Sequence, residues 1–444
     1  MLSFPAIRST YYKKNDYVWR KIKMRFFSIK NLLLWLSMSL LIFLYGCVQT
    51  ATHNAVDLCM TPGDNYTKLN FAWYSSAQTN SLVQIALKTD MTDSSFPESS
   101  AASFYATTSS AAFGYYSNKT TVTSLAAGTE YVYRVGDGKG NWSTNYYVTT
   151  SPETGFSFLA VGDPQIGASN VHTDTSVWTD TINKASSHFP DTAFIISAGD
   201  QVQTKNNERQ FDGFFSPDVL RRIPVAPALG NHDNGAKNTD WHFNLPNLST
   251  VYGVTSPGAA DYYFTYDNTL FVVLNSNNNS GISHKAFINC AVAANPDVEW
   301  KIAVFHHDIY GSAFHSLKPY VQKLRAELFP IFDAYRFDVV ICGHDHSYSR
   351  SYVLYGDIPQ KDQTYDKNGA VVNPTGTVYV TLNSASGSKH YDLNTSKAKY
   401  CAFRWQNYKP SFSYVTINGN TLTFDTYESD TMELIDSFSI AKTR

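Results

Sequence analysis

Charge is scarce in this chain. Asp, Glu, Lys and Arg make up 16% of its 444 residues, against about a quarter in an average soluble domain. The net charge is −2, so no global basic field exists to gather nucleic acid or acidic lipid. Cysteine is scarce as well, at 5 residues. Cys59, Cys290, Cys342 and Cys401 could pair in an oxidising compartment. Cys342, however, closes the apolar run Val339-Val340-Ile341, the setting of a buried free thiol, and no disulfide is expected. The chain has no internal repeat and no low-complexity linker. The apolar run from Leu32 to Tyr45 is shorter than the roughly 20 residues that span a bilayer.

That run does have the layout of an address label. Basic residues around Met24 to Lys30 precede it, and Gly46-Cys47 follows. A basic segment, an apolar segment and small-residue processing make an export signal. The segment 1–47 resembles a bacterial lipoprotein signal, in which Cys47 becomes the lipidated first residue. The expected location is therefore outside the cytoplasm, with the membrane contacted only through a lipid anchor at Cys47. An uncleaved membrane anchor is the alternative.

The remaining chain changes character once. Residues 55–152 read as short strands between turns. Leu69 to Tyr74 and Ser81 to Lys88 alternate, as half-buried strands do, and Tyr131 to Val135 ends in the turn signal Gly136-Asp137-Gly138. Strands at this spacing predict an antiparallel all-β sandwich. Residues 153–444 alternate strands with helices. Phe156 to Val161, Thr192 to Ala198, Trp300 to Phe305 and Phe337 to Cys342 are apolar, and Trp178, Ile182, Ala185 and Phe189 share one helix face. That alternation predicts a layered α/β core. Tyr262 to Tyr266, Leu270 to Asn275, Thr377 to Leu382 and Phe412 to Phe424 are read as later strands in antiparallel or mixed pairing.

The chemistry-bearing residues sit just after apolar strands. They are Asp163 and Gln165, Asp200, Asn231 and His232, His306 and His307, then His344 and His346. Ligands of open α/β sheets bind at such strand ends. A mixed carboxylate, amide and imidazole set suits divalent Zn, Mn or Fe. Singly these motifs are weak, since Gly-Asp after a strand is usually a turn. Gly-His344-Asp-His346 is the strongest, because two imidazoles flank one residue with no packing reason. Of His306 and His307, the first is preferred, since the second would face the opposite side of a continued strand.

Taken in order, Gly-Asp163-Pro-Gln, Gly-Asp200, Gly-Asn231-His232-Asp, His306 and Gly-His344-Asp-His346 resemble the motifs of calcineurin-like metallophosphoesterases. The ending Gly-His-x-His-x-Tyr348-x-Arg350, His315 after His306, and the strands before residue 152 are most similar to purple acid phosphatases. The resemblance implies a fibronectin type III-like sandwich followed by a four-layer α/β sandwich, with mixed sheets flanked by helices. It implies two divalent ions bridged by Asp200. One would take Asp163, Asp200 and His346, with Gln165 as a further ligand; the other Asp200, Asn231, His306 and His344. It also implies that His232 and His315 contact the phosphate or assist the leaving group, and that a metal-activated water attacks phosphorus.

Two positions depart from that pattern. The purple enzymes place a metal-binding Tyr three residues after the bridging Asp, where this chain has Gln203, and Asp308 stands where the family often has Pro. A Gln supplies no phenolate, so a colourless divalent centre is expected. The expected substrate is a small phosphate monoester. A phosphodiesterase or nucleotidase on the same site is the second reading, and a surface binding protein with a degenerate catalytic domain is the third. Nucleic acid is not an expected partner, and the oligomeric state is left open. Trp241, Tyr252, Tyr262 and Tyr263 flank the expected cleft, either as packing or as platforms for a base or sugar.

Overall fold

The computed structural model describes residues 55–443. The segment 1–47, with Cys47 and its expected lipid, lies outside the described residues. Residues 56–149 form two four-stranded antiparallel sheets. Leu58, Phe71, Trp73, Val83, Tyr133 and Val135 fill the space between them. The alternation read in Leu69–Ser75, Leu82–Leu87 and Glu130–Gly136 places every second side chain in that core.

The larger part is a sandwich of two seven-stranded sheets. In the first, Val225–Pro227, Thr192–Ser197 and Phe156–Val161 run parallel, and the antiparallel strands Ser411–Asn418, Thr421–Glu428 and Leu434–Ala441 extend it. In the second, Thr269–Val273, Trp300–Val304, Val339–Cys342 and Val378–Thr381 run parallel. Phe158, Phe194, Phe271, Ile302, Ile341 and Val380 interlock between the sheets. The outer face of the first sheet is covered by helix Val171–His188 through Trp178, Ile182 and Ala185. Helices Gly281–Ala294 and Pro319–Tyr335 cover the second through Phe287, Ile288, Leu324 and Leu328. The order helix, sheet, sheet, helix explains why the parallel strands are apolar on both faces.

One expected strand is two. Phe412 to Phe424 breaks into the hairpin partners Ser411–Asn418 and Thr421–Glu428. Asn418-Gly419-Asn420 turns the chain there, with Gly419 at φ +55°, the backbone that a tight hairpin loop demands. Both arms continue the same apolar alternation, which hides the turn from a reading by period alone. Among the described residues no helix is long and apolar enough to cross a membrane.

Candidate metal centre

Five parallel strands end on the same rim of the sandwich, three from one sheet and two from the other. Asp163 follows Phe156–Val161, Asp200 follows Thr192–Ser197, and Asn231 follows Val225–Pro227. His306 follows Trp300–Val304, and His344 follows Val339–Cys342. Because parallel strands share a direction, each turn delivers its polar residue to one place.

The side chains converge. Nε2 of His306 lies 3.2 Å from Oδ2 of Asp200, 3.2 Å from Oδ1 of Asn231 and 3.0 Å from Nδ1 of His344. Nε2 of His346 stands 3.5 Å from Oδ1 of Asp163. Asp200, His306 and His344 each bring a ligand-type atom within 4.8 Å of the others. Gln165 is fully buried, and neither its amide oxygen nor its nitrogen has a hydrogen-bond partner. A buried amide without a partner costs about 1–3 kcal/mol, and a metal ion at this spot would satisfy its oxygen.

Each imidazole is held from behind. Nδ1 of His306 donates to the Ala198 carbonyl at 2.9 Å, and Nδ1 of His346 to the Lys389 carbonyl at 3.0 Å. Nε2 of His344 meets the Tyr320 hydroxyl at 2.7 Å. Such outer contacts fix the ring and leave the other nitrogen's lone pair facing inward, as a metal ligand requires. Asp163, Gln165, Asp200, His344 and His346 all have left-handed backbone, with φ between +37° and +72°. Strain of this kind persists where the surroundings over-determine the geometry. Glycine makes the turns close enough: a methyl group on Gly230 would overlap the Asp200 carboxylate and amide, and one on Gly343 would sit 2.5 Å from Asp163.

The site is short of positive charge. Burial, reinforced by Asp200, pushes the Asp163 carboxyl up to about 8 although His306 pulls it down. Burial also opposes ionisation of Asp200, but His306 outweighs it and holds the carboxyl at about 2. Burial works against a charged His306, yet Asp200 and Asp163 hold it up at about 9. His344 and His346 are pushed down mainly by burial, the latter to about 3, so both are neutral imidazoles. Two facing carboxylates with one proton-bearing histidine between them match a donor set that cations complete.

His232 and His315 stand at the edge. The backbone N–H of His232 donates to Oδ1 of Asp200 at 2.8 Å, and its Nδ1 lies 2.9 Å from the Gln203 carbonyl. The His315 ring lies 3.9 Å from the His344 ring, and its Nδ1 is 2.8 Å from the Tyr320 hydroxyl. His307 does not turn away. Its ring packs 4.6 Å from that of His344, and Nδ1 meets the Ser276 hydroxyl at 2.8 Å. The strand ends at Val304, so alternation no longer governs the two histidines.

Two carboxylates that sequence reading passed over hold the loops in place. Asp233 accepts hydrogen bonds from the backbone N–H groups of Gln201, Val202 and Gly230 at 3.1–3.2 Å, tying the Asp200 loop to the Asn231 loop. Asp345 accepts from the N–H groups of Ala313 and His315 at 2.5 and 2.7 Å. Each is the Asp inside a recognised motif, which was the available signal. Asp308 faces Asp345, and burial, then Asp345, push its carboxyl well above the usual range. Of the aromatic residues named at the cleft, three take the packing role: Tyr262 is buried with its hydroxyl on the Pro227 carbonyl, and Tyr252 and Tyr263 lie against Phe287, while Trp241 is partly exposed. The half-exposed rings beside the histidines are Phe314 and Tyr320.

Residues 156–348 match the calcineurin-like phosphoesterase family, and residues 56–150 match the purple acid phosphatase N-terminal domain. The chain carries a calcineurin-like phosphoesterase domain behind a purple acid phosphatase N-terminal domain. The structure of a purple acid phosphatase from yellow lupin seeds superposes with a TM-score of 0.70 at 17% identity, covering 88% of this chain and 75% of that one. This likeness establishes the fold. A protein of Arabidopsis thaliana named probable inactive purple acid phosphatase 24 is 24% identical over 358 residues, 70% of this chain and 55% of its own length. An uncharacterised protein of Mycobacterium tuberculosis is 24% identical over 195 residues, 38% of this chain and 36% of its own. The chain thus spans about half or less of the curated relatives it matches. A purple acid phosphatase-like fold implies a dinuclear metal centre, and the phosphoesterase domain holds its candidate ligands at the rim just described.

Proposed function

We propose that the chain is a dinuclear-metal phosphoesterase that hydrolyses phosphate monoesters. The observation that carries this reading is the convergence of Asp163, Asp200, Asn231, His306, His344 and His346, each imidazole braced by an outer partner, with the buried, unpartnered amide of Gln165 two residues after Asp163. Asp200 is the proposed bridge. Asp163, His346 and Gln165 flank one side of it, and Asn231, His306 and His344 flank the other. The ions, divalent Fe, Mn or Zn, supply the charge that activates a water and steadies the phosphoryl oxygens.

The chain's own residues do the rest. Asn231 is exposed at the mouth of the site, where it can meet an incoming ester. His232 donates from Nδ1 to the Gln203 carbonyl, which leaves Nε2 to face the phosphoryl group. His315 is pushed down to about 4, first by burial and then by Lys389. It is neutral until a phosphate dianion beside it favours the imidazolium, and it then gives a proton to the leaving oxygen. Tyr320, hydrogen-bonded to both His315 and His344, keeps the acid beside the centre.

The word inactive in the names of the Arabidopsis relatives describes those proteins. In this chain the Asp, Asn and His donors of the motifs are all present, and the one metal-binding residue replaced is the Tyr, by Gln203. Export, with lipid attachment at Cys47, belongs to the same proposal and rests on the sequence of residues 24–47. The test is a panel of phosphomonoesters and phosphodiesters, assayed with protein loaded with Mn, Zn or Fe. Turnover greatest on monoesters supports the proposal. Greater turnover on diesters moves the substrate assignment, and none by protein carrying both ions defeats the reading as an enzyme.

A further inference from the structure

A second cluster of ligand-type groups lies apart from the catalytic rim, where the N-terminal sandwich meets the phosphoesterase domain. Asp57 comes from strand Val56–Pro62, Glu208 and Asp212 from helix Glu208–Phe214, and His242 from helix Asn238–His242. Asp57, Glu208 and His242 each bring a ligand-type atom within 4.8 Å of the others.

His242 is the informative member. Its side chain is 1% exposed, sandwiched between Phe211 and Tyr74 at ring distances of 4.6 Å. Nε2 is occupied by Glu208 at 2.7 Å. Nδ1 has no hydrogen-bond partner although it is buried, and it points at Oδ2 of Asp57, 3.9 Å away. A separation of 3.9 Å is too long for a hydrogen bond. Two ligands on a tetrahedral zinc ion, each about 2.0–2.2 Å from the metal, stand about 3.3–3.6 Å apart, so Asp57 would have to close in by only about 0.5 Å.

The backbone is shaped to bring Asp57 there. Strand pairing shifts register between Val56 and Cys59, and Asp57 itself is left-handed at φ +53°. Bulges of this kind re-aim a side chain. Asp212, exposed to solvent, hydrogen-bonds Asp57. The nearby Arg221 donates from one nitrogen to the carbonyls of Phe215 and Pro217, and its charge is the least of the effects on Asp57. Burial, and then the carboxylates of Asp212 and Glu208, hold the Asp57 carboxyl up at about 7 despite His242, so the cluster carries more acid than its neighbours neutralise.

We propose that this junction is a structural metal site for a zinc-class divalent cation. The ligands would be Nδ1 of His242 and the Asp57 carboxylate, with Asp212, which hydrogen-bonds Asp57 from the exposed side, turning in as the third. Glu208 orients the imidazole from Nε2, the carboxylate–histidine–metal arrangement, and water completes the shell on the exposed Asp212 side. One imidazole with two carboxylates suits Zn or Mn. The ion would clamp the first strand of the N-terminal sandwich to two helices of the phosphoesterase domain. The inference is independent of the catalytic reading.

The test is equilibrium dialysis of the full chain against Zn2+, with thermal midpoints recorded with and without the metal. Asp212→Asn is the main variant, because an exposed Asn keeps the hydrogen bond to Asp57 and the fold. Glu208→Gln and Asp200→Asn are its companions. Expected is a zinc equivalent, beyond any left at the catalytic rim, that survives Asp200→Asn and binds at least about 10-fold more weakly once Asp212→Asn is added to that variant, with a smaller loss of the same equivalent when Glu208→Gln is added instead. Zinc should also raise the midpoint of Asp200→Asn protein. If Asp200→Asn protein retains no such equivalent, or binds it as tightly once Asp212→Asn is added, the cluster is an ion pair and the proposal falls. Anomalous diffraction at the zinc edge answers the same question without a variant: a peak beside Nδ1 of His242 supports the site, and its absence from zinc-soaked crystals overturns it.

Discussion

Nε2 of His306 and Nδ1 of His344 face each other at 3.0 Å. His306 must donate from Nδ1, because its partner there is a carbonyl. In a neutral His306 the inward nitrogen therefore carries a lone pair. Without a cation, Asp200 keeps a proton on that nitrogen; with one, both histidines turn lone pairs toward the metal. The pair explains why the same geometry serves a protonated apo site and a metal-loaded one.

Asp200→Asn should lose one or both metal ions and cut turnover by at least about 100-fold, the upper end of what outer contacts alone are worth. Metal content by mass spectrometry, alongside rates on the best monoester, checks this. Full metal occupancy with unchanged rates would remove Asp200 from the bridging position.

Gly230→Ala should cripple metal binding although no ligand is changed. The added methyl group has nowhere to go, because the Asp200 carboxylate and amide occupy the space. The chain must shift the Asp200 loop or the Asn231 loop, and a ligand misplaced by about 1 Å costs on the order of 100-fold in rate. Metal titration of the folded variant is the measurement.

Iron-loaded protein should show no strong visible charge-transfer band. Gln203 lies beside His232 with an amide rather than a phenol. The nearest phenol to the histidines, Tyr320, is kept protonated by burial and then by Asp308. An absorption spectrum decides, and an intense purple band would contradict the assignment.

His315→Ala should retain both metals and lower kcat by about 100-fold, the low end of general acid catalysis. The loss should shrink for substrates whose leaving group needs no proton, such as activated aryl esters. An equal loss across leaving groups would make His315 a positioning residue rather than an acid.

His284 gives a pH dependence away from the metals. It is fully buried with Nδ1 at 2.8 Å from Oδ2 of Asp261 and Nε2 at 2.7 Å from the Asn278 carbonyl. Burial alone would lower its pKa, but the bond to Asp261 and its charge win and raise it. The folded state thus holds a proton that the unfolded state releases near 6.5. The stabilisation is complete below that pH and is lost as pH rises through the folded value. The thermal midpoint of the parent should fall from pH 6 upward more steeply than that of His284→Gln. At pH 6 the variant should be about 3 kcal/mol less stable, the cost of leaving a buried carboxylate unpaired.

The two-domain reading began from local signals, and so did much of the site. Apolar runs closed by Gly-Asp, Gly-Asn or Gly-His are local facts. A run long enough to cross a sheet, stopped by a residue that permits a sharp turn, marks a strand end whatever surrounds it. Trp178, Ile182 and Ala185 likewise lie on one helix face because 3.6 residues make a turn. These regularities place Asp163, Asp200, Asn231, His306 and His344 at strand ends from the sequence alone.

What tertiary structure alone decided is the partner of each group. Asp233 and Asp345 became the ties between loops because folding brought unpaired N–H groups to them. His307 turned inward once the strand stopped at Val304. His242 met Asp57 across the domain junction, a pairing that no period or spacing encodes. Periodicity fixes which face a side chain takes. Its hydrogen-bond partner depends on which backbone arrives there, and that is set by the packing of the whole sandwich.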